Sequence, residues 1–409
     1  MLGVPLHQLL GQPRTSEFLR GLIARGRFAN AYLFDGPSGV GKMTAALSFA
    51  RAILCRSTDP EPAPPPPAAP LGLFAGISEE PAPEPATPSD DACGSCGSCR
   101  RAGNLAHPDL KFLFPVSGEE RTLEQTVGET FENLRADPLF VFRYEKAASI
   151  RLSQTRELLR ELAFRPFESS RRVVVVRDAD RMREDQASAM LKSIEEPGAS
   201  TVWVLTTARP ARLPVTIRSR CQRVRFGPLQ EALVGQVLER AARVPAPLAR
   251  TIAALSSGSL GRALELRDTD PLDAQRKALE LLGPARRNDP AGLWNAAQKF
   301  MNYGRTGRET LRRMADFHLL WLRDVLRARC GAPAELLVFG DREADLRREA
   351  ATLDAPEIRR RMMVLEEMVR AIEGNVSADA TIFSAMARAA GHRLGEGEWP
   401  RHSTARWNY

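Results

Sequence analysis

The sequence predicts an α/β domain built on a parallel sheet, followed by an all-helical C-terminal region. From about residue 30 to 226, short apolar runs alternate with segments of helical composition, which is typical of a doubly wound sheet. The run 172–176 contains four valines without polar alternation, as expected of a strand buried on both faces. From residue 270 to 392, Leu, Met and Ala recur at helical spacing, and we interpret that stripe as core rather than as a cofactor site.

Length, charge and hydropathy narrow the class of protein. A chain of 409 residues is long enough for two or three domains with sizeable cores. The net charge of +8 permits an acidic partner such as nucleic acid, although it is equally consistent with a surface that binds nothing specific. No apolar run is long enough to span a bilayer, and the N-terminus lacks a basic-then-apolar export signal. We therefore expect a cytoplasmic protein without a membrane partner.

Residues 36–43 carry the pattern of a phosphate-binding loop. They follow an apolar run, 31–34, and precede an alanine-rich segment of helical composition, 44–54. In such a strand–turn–helix unit, backbone N–H groups and the helix N-terminus point at phosphate oxygens. The residue after the lysine is normally Ser or Thr, whose hydroxyl ligates Mg²⁺, but here it is Met43. The nucleotide-binding residues predicted in the loop are Gly36, Pro37, Gly39, Gly41 and Lys42.

Six cysteines are present, and in a cytosolic chain their clustering predicts a metal site rather than disulfides. Cys93, Cys96 and Cys99 form two overlapping C-x-x-C units, and Cys55 at the end of the predicted helix supplies a fourth thiolate. Four protein ligands leave no open position, so we expect a structural and not a catalytic Zn²⁺. Three alternatives remain open: His107 as the fourth ligand, a redox dithiol, or a site that has lost its metal.

A segment of different composition, 59–90, lies between the first and second of these cysteines. It is rich in proline and contains acidic residues but no Lys or Arg. Such a segment cannot build a core, and we predict a disordered surface insertion that loops out between two metal ligands.

Polar side chains follow two of the predicted strands. Arg177, Asp178 and Asp180 come after the valine run, where acidic residues serve Mg²⁺ and water in phosphate-loop proteins. Thr206 and Thr207 end the next strand, where a hydroxyl can sense a γ-phosphate. The alternative for each site is an ordinary turn or helix cap, for which Asp and Thr are common.

The order and spacing of these motifs resemble the bacterial clamp-loader subunits of DNA polymerase III, within the AAA+ ATPase group. The likeness covers most of residues 3–268, and the C-terminal helices match only in class. The ordered set is more specific than any of its members, because the cysteine module is inserted after the phosphate-loop helix. The matching segments are 10–12, 31–43, the four cysteines, 178–182, 191–197, 213–214 and 219–221.

The resemblance implies a nucleotide site that has lost its chemistry. The family includes gamma/tau motor subunits, which hydrolyse ATP, and a delta-prime subunit, which generally does not. Met43 replaces the Mg²⁺-binding hydroxyl, and Arg177 stands where the family has its first aspartate after the strand. Asp178 then takes the place of the neighbouring acidic residue that would polarise water. We expect little or no ATP hydrolysis, while the retained glycines and Lys42 leave the binding of ATP or ADP open.

Two further motifs contain arginines that match family functions. Ser219, Arg220 and Cys221 match the family's trans-acting motif, whose arginine reaches the ATP bound by the next subunit of a ring. The alternative is an ordinary surface arginine. Arg262 resembles the sensor arginine of the family's lid domain, and it completes the predicted nucleotide-binding set.

The resemblance also divides the chain into domains. We expect an AAA+ domain over residues 1–228 with a zinc module at about 55–107, a helical lid over 229–268, and a helical collar for oligomerisation over 269–393. A flexible tail would follow over 394–409.

The resulting expectation is a delta-prime-like subunit that assists ATP-driven loading of a sliding clamp onto primed DNA and supplies Arg220 to a neighbouring subunit. Its expected partners are the gamma/tau and delta subunits, the sliding clamp and primer–template DNA. The alternatives are a gamma/tau-type ATPase motor and a zinc-dependent DNA-binding protein outside the clamp loader.

Overall fold

The structure, a computed structural model, describes most of the chain. Most of the predicted insertion 59–90 and the whole predicted tail 394–409 lie outside the described residues. The described residues are 4–56, 89–117, 120–137, 139–142, 148–195, 200–267, 289, 291–292, 294–295, 304–373 and 378–389.

The chain forms two compact units. The first comprises Met1–Val237 with Ser257–Leu264, and the second comprises Leu238–Ser256 with Glu265–Tyr409. The division into an AAA+ domain, a lid and a collar stays a prediction.

The first unit contains a parallel sheet with the strand order β2-β3-β4-β1-β5. Every neighbouring pair in this order is parallel. The strands are β1 (Ala31–Asp35), β2 (Leu110–Leu113), β3 (Arg172–Val176), β4 (Thr201–Thr207) and β5 (Gln222–Arg225). The predicted fold class is therefore confirmed, and the valine run forms β3 with all five of its residues buried.

Helices account for most of the remaining described residues. Their positions agree with the predicted alternation of strands and helices up to residue 226 and with the helical C-terminal region. They are α1 (Pro13–Arg25), α2 (Lys42–Ile53), α3 (Gly97–Gly103), α4 (Leu123–Ala136), α5 (Leu152–Leu162), α6 (Glu184–Glu195), α7 (Val215–Arg218), α8 (Glu231–Arg240), α9 (Ala246–Leu255), α10 (Leu260–Arg267), α11 (Gly304–Arg329), α12 (Glu343–Thr352), α13 (Ala355–Glu373) and α14 (Ala378–Ala389).

Apolar clusters cover both faces of the sheet. Tyr32 and Phe34 of β1 pack on one face against Phe49 of α2, with ring centroids 5.4 and 6.4 Å apart. Leu33, between them, packs on the other face in the same cluster as Trp203 of β4. Because successive side chains of a strand point to opposite faces, each buried strand anchors two layers at once. Each fully buried aliphatic side chain contributes about 1.5–3 kcal/mol, so the central strands form a rigid base for the loops at their ends.

The segment after the predicted insertion is joined to the start of the chain. Asp91 is buried, and its carboxylate accepts hydrogen bonds from the Leu6 amide (3.0 Å), the His7 amide (3.1 Å) and His7 Nδ1 (2.8 Å). Close by in the sequence, the Cys93 amide donates to Cys55 Sγ at 3.4 Å. Residues on the two sides of the predicted insertion, Cys55 and Cys93, therefore lie next to each other.

The second unit is helical, as predicted. Phe317 of α11 packs on Phe339 with ring centroids 4.8 Å apart. Asp324 is fully buried, and its carboxylate accepts from the amides of Val338 (2.6 Å) and Phe339 (3.0 Å), which fixes the turn after α11. Among the described helices, none combines the length and the apolar character needed to cross a membrane.

Candidate functional site

The phosphate loop joins β1 to α2 at the carboxyl edge of the sheet. Lys42 is the first residue of α2 and is only 6% exposed. Its Nζ donates to the carbonyl oxygens of Gly36 (2.7 Å) and Pro37 (2.5 Å). The pKa of Lys42 is lowered to about 8, mainly by burial; the Asp178 carboxylate opposes this shift and the Arg177 guanidinium adds to it. The predicted loop residues are thus brought together around one buried ammonium group.

Close backbone approaches explain the glycines of the loop. A Cβ atom on Gly36 would lie 2.3 Å from the carbonyl oxygen of Phe226, and one on Gly39 would lie 2.3 Å from Ser259 Oγ. Gly39 and Gly41 also have positive φ angles, 73° and 96°, which larger residues adopt only with strain. These positions therefore require glycine on steric grounds.

The amino end of α10 packs on the phosphate loop. The Gly261 amide donates to the Gly39 carbonyl at 3.2 Å, and the Arg262 amide donates to Ser259 Oγ at 3.1 Å. Arg262 consequently lies on the first turn of a helix that touches the loop. That position is consistent with a sensor arginine, and the role itself stays a prediction.

Met43 and Arg177, which replace the expected magnesium ligands, are in direct contact. Arg177 Nη1 lies 3.0 Å from Met43 Sδ, and the guanidinium carbon lies 3.9 Å from the centre of the Phe142 ring. Arg177 Nε pairs with Asp178 Oδ2 at 3.2 Å. A fixed cation and a thioether thus stand where Mg²⁺ would need oxygen ligands. Sequence reasoning missed Phe142, because it lies in a weakly patterned region and meets Arg177 only through the fold.

The predicted threonines lie at the same edge of the sheet. Thr206 Oγ1 accepts from the Asp178 amide at 3.1 Å, and Thr207 Oγ1 donates to Asp180 Oδ1 at 2.7 Å. These bonds join the carboxyl end of β4 to the turn after β3, where Asp178 has a left-handed conformation with φ of 46°. The structure therefore brings the residues together, and their action on a nucleotide stays a prediction.

An apolar pocket opens beside the loop, and sequence reasoning missed it. A largely apolar lining with a few polar groups suits a flat heterocyclic base. The lining residues are Val4, Gln8, Leu9, Leu10, Gln12, Val40, Gly41, Thr44, Ala45, Phe226, Leu229 and Leu260.

Arg220 lies at the amino ends of the parallel strands, whereas the phosphate loop lies at their carboxyl ends. β1 and β5 are parallel neighbours; the loop follows the carboxyl end of β1, whereas Arg220 precedes the amino end of β5. Arg220 Nε pairs with Glu195 Oε1 of α6 at 2.6 Å, and Nη1 donates to the Thr216 carbonyl at 3.0 Å. Its side chain is 41% exposed. The guanidinium is held on the surface, far from the nucleotide loop of its own chain.

Ser219 and Cys221 stabilise the turn that contains Arg220. Ser219 Oγ donates to the Thr216 carbonyl at 3.1 Å. Cys221 packs against the core cluster below the sheet, and burial raises the pKa of its thiol to about 12. Cys221 is therefore a packing residue and not a reactive thiolate.

The four predicted cysteines form one cluster. The sulfur atoms of Cys55, Cys93, Cys96 and Cys99 all lie within 4.8 Å of one another, and Cys93 Sγ is 3.9 Å from Cys99 Sγ. Amide groups donate to the sulfurs: Cys96 N to Cys93 Sγ at 3.4 Å, and Cys99 N to Cys96 Sγ at 3.3 Å. A hydrogen bond with Cys55 and burial both raise the pKa of the Cys99 thiol, so thiols this close ionise together only around a cation. This donor set fits a tetrahedral zinc ion.

His107 is not part of the cysteine cluster. Its Nδ1 accepts from the Asp109 amide at 3.1 Å, and its Nε2 contacts Ser98 Oγ at 2.8 Å and Glu168 Oε1 at 2.9 Å. The ring is buried, and burial lowers the pKa of His107, while Glu168 and Asp109 raise it. Both ring nitrogens are engaged outside the cluster, so His107 does not serve as the fourth ligand.

The loop after α5 exposes two phenylalanines on a rigid backbone. Phe164 and Phe167 are 76% and 83% exposed. The fully buried carboxylate of Asp109 accepts from the amides of Phe167 (2.6 Å) and of the next two residues (both 2.9 Å). The buried Arg172 side chain donates to the carbonyls of Phe164 (3.3 Å) and Arg165 (3.0 Å). Two buried charges therefore fix both halves of this phenylalanine loop, 163–170.

Glu168 connects the phenylalanine loop to the cysteine module. Its carboxylate contacts His107 and accepts from Arg101 on α3, the helix that carries Cys99. Ser98, on the same helix, bonds both His107 and the carbonyl of Leu54, next to Cys55. The metal ligands and the exposed loop thus belong to one continuous hydrogen-bonded network.

The fold and the site define a P-loop protein of the parallel-sheet class. It has the phosphate loop and its lysine, Lys42. Arg177 stands where a magnesium ligand is expected, and Arg220 is exposed at the amino ends of the strands. Residues 11–65 and 83–230 match the family described as "DNA polymerase III, delta subunit". The chain belongs to this family.

Named relatives include delta-prime and tau subunits. The DNA polymerase III subunit delta' of Bacillus subtilis (strain 168) is 25% identical over 369 residues, which cover 90% of this chain and 92% of that protein. The subunit delta' of Pseudomonas aeruginosa is 30% identical over 252 residues, 62% of this chain and 56% of that protein. The subunit tau of Bacillus subtilis is 23% identical over 265 residues, 64% of this chain and 36% of that protein. The chain thus spans about a third of the tau relative, and the resemblance seen in the sequence is confirmed.

Proposed function

We propose that this chain is a delta-prime-type subunit of a bacterial DNA polymerase III clamp loader, which assists ATP-driven loading of the sliding clamp onto primed DNA. The observation that carries the proposal is that Arg177 and Arg220 lie at opposite ends of the parallel strands. Arg177 takes the metal position at the chain's own phosphate loop, while Arg220 is held on the surface at the opposite edge. Such a chain can complete a neighbour's nucleotide site but not its own.

Arg220 is the trans-acting group in this proposal. An arginine finger stabilises the charge that develops on a transferring phosphoryl group. Glu195 and the Thr216 carbonyl hold the guanidinium in one orientation, so less side-chain entropy is lost when it meets a nucleotide. Ser219 and Cys221 shape the turn that presents it.

The proposed partners are the gamma/tau and delta subunits, the sliding clamp and primer–template DNA, in the cytoplasm. The relatives' names place those proteins in DNA polymerase III, and their extended match to this chain supports a place in the same assembly. Within the chain, we assign the sheet domain to 1–228, a lid to 229–268, a collar that joins the ring to 269–393 and a tail to 394–409.

The proposed zinc is architectural. Cys55, Cys93, Cys96 and Cys99 would hold it, and it would supply a fixed crosslink rather than a reactive centre. The proposed nucleotide, ATP or ADP, would be held by the phosphate loop and the apolar pocket, with Asp178, Thr206, Thr207 and Arg262 around it, and it would not be hydrolysed.

The proposed function is tested by assembly. The purified chain, mixed with tau and delta subunits, should form a discrete complex whose ATP turnover rises with clamp and primed DNA. The matched control is the same mixture without this chain. A chain that stays monomeric beside assembled partners would contradict the proposal.

Restoring one metal ligand should not restore hydrolysis. We expect Met43→Thr to leave the isolated chain without measurable ATP turnover, because the Arg177 cation still opposes Mg²⁺ beside the new hydroxyl. Steady-state phosphate release, measured with excess Mg²⁺, checks this. The double variant Met43→Thr with Arg177→Asp serves as the comparison, and turnover by the single variant alone would show that the metal position is intact.

The alternative within the same complex is a gamma/tau-type motor, which the tau relatives and the retained Lys42 favour. Steady ATP turnover by the pure chain, abolished by Lys42→Ala, would support it. A zinc-dependent DNA-binding protein outside the clamp loader is the other alternative, and a metal-dependent, sequence-selective DNA complex of the isolated chain would support that.

A further inference from the structure

Two positively charged side chains, Lys42 and Arg177, lie at the phosphate loop together with the Asp178 carboxylate. In phosphate-loop ATPases, a lysine and a Mg²⁺ ion together neutralise the nucleotide phosphates. Here the lysine, Lys42, is retained, and the residues expected to ligate the ion are Met43 and Arg177. A thioether is a poor ligand for Mg²⁺, and a guanidinium repels it.

Arg177 is fixed beside the loop by three different groups. Met43 Sδ lies 3.0 Å from Nη1, the Phe142 ring centre lies 3.9 Å from the guanidinium carbon, and Asp178 Oδ2 lies 3.2 Å from Nε. Met43 follows Lys42 on the first turn of α2, so contact with its sulfur places the guanidinium at the phosphate-binding end of that helix. Arginine keeps its charge at every physiological pH, and its planar fork matches phosphate oxygens.

Charge and shape at this place suit a nucleotide without its metal. Burial is the main cause that lowers the pKa of Lys42; the Asp178 carboxylate opposes it and Arg177 adds to it, so the two cations lie close together with this carboxylate beside them. A bound polyphosphate would place anionic oxygens against both cations. The apolar pocket beside the loop, lined in part by Val40 and Leu260, has the lining chemistry that suits a base.

We propose that this chain binds a nucleoside di- or triphosphate in its metal-free form, with the Arg177 guanidinium in place of the magnesium ion. The proposal rests on the proposed nucleotide-binding role of the phosphate loop, and it is independent of ring assembly and of Arg220. It explains why the loop is retained while its metal ligands are not: the site holds a nucleotide as a fixed structural ligand.

The test is a calorimetric titration of the full chain with ADP and with ATP, each in excess EDTA and in excess Mg²⁺. We expect a dissociation constant about tenfold lower in EDTA, because the magnesium complex brings a second cation against Arg177. Lys42→Ala should lose binding in both conditions. Tighter binding in Mg²⁺, or no binding in either condition, would overturn the inference, while assembly into a clamp loader would still support the proposed function.

Substitutions at Arg177 identify the cation. Arg177→Gln should weaken metal-free binding about tenfold and remove the preference for EDTA, whereas Arg177→Lys, which keeps a charge, should retain most of both. Arg183→Gln, at an exposed arginine just before α6, is the matched control and should change neither. The double variant Met43→Thr with Arg177→Asp should instead prefer the magnesium complex. Unchanged affinity and metal preference in a folded Arg177→Gln protein would overturn the inference.

Discussion

Replacing Arg220 by alanine should slow ATP hydrolysis at the neighbouring nucleotide site of an assembled ring by roughly 10³-fold or more, the range found for arginine fingers. The physical reason is the loss of a cation that stabilises charge on the transferring phosphoryl group. The loss for the whole ring will be smaller, because its other sites keep their own fingers. Single-turnover hydrolysis, with this chain mixed into wild-type partners, measures the effect directly.

Assembly should survive the Arg220→Ala substitution, since the side chain is surface-exposed and its polar partners among the described residues are Glu195 and the Thr216 carbonyl. Arg212→Ala, at another exposed arginine of the same region, is the matched control and should leave turnover unchanged. Glu195→Gln keeps Arg220 but removes the charge that pairs with it. Its rate of ATP hydrolysis should lie between those of Arg220→Ala and Arg212→Ala. Normal turnover in an intact Arg220→Ala ring would mean that Arg220 is an ordinary surface residue.

Loss of one cysteine ligand should release the metal and destabilise the first unit. Wild-type chain should contain about one zinc ion, and Cys96→Ser should contain none, because structural zinc needs all four ligands. We expect the unfolding midpoint to fall by roughly 10 °C, which corresponds to a few kcal/mol for a domain of this size. Elemental analysis and thermal unfolding measure the two effects.

Cys96→Ser should also make the phenylalanine loop, 163–170, less rigid. Glu168 of that loop is held by His107 and Arg101, and α3 carries both Arg101 and the ligand Cys99. Without the metal, backbone amides of the loop should exchange with solvent faster. Cys330→Ser, at an exposed cysteine in the second unit, should change neither metal content nor exchange. A native chain without metal, or a loop indifferent to its loss, would contradict this coupling.

Local patterns were sufficient to predict the sheet and most of the site. The valine run indicated a strand buried on both faces, and the spacing from Gly36 to Lys42 indicated the phosphate loop with its helix. Two overlapping C-x-x-C units similarly predicted three of the four clustered sulfurs, and the fourth, Cys55, followed from its place at the end of α2. Apart from Cys55, the residues that each of these motifs needs are neighbours in sequence.

Contacts between distant residues could not be predicted in the same way. The sequence showed that Arg177 stands where a magnesium ligand is expected. It did not show the contact of Arg177 with Phe142, because no sequence pattern around Phe142 indicates it. Asp109 was unremarkable in sequence, although its buried carboxylate organises a loop about sixty residues further along the chain. Glu195 was seen only as part of a motif, and its ion pair with Arg220 emerges from the packing of α6 beside the turn.

Because Asp91 is hydrogen-bonded to the start of the chain, the segment before it can be expected to vary in length. The carboxylate holds Leu6 and His7, and the contact of Cys93 with Cys55 brings the two sides of the insertion together at one point. For a loop whose ends are already fixed side by side, doubling its length costs only about 0.6 kcal/mol of closure entropy. We therefore expect a change of length between Cys55 and Cys93, or an inserted sequence such as an affinity tag, to cost little stability.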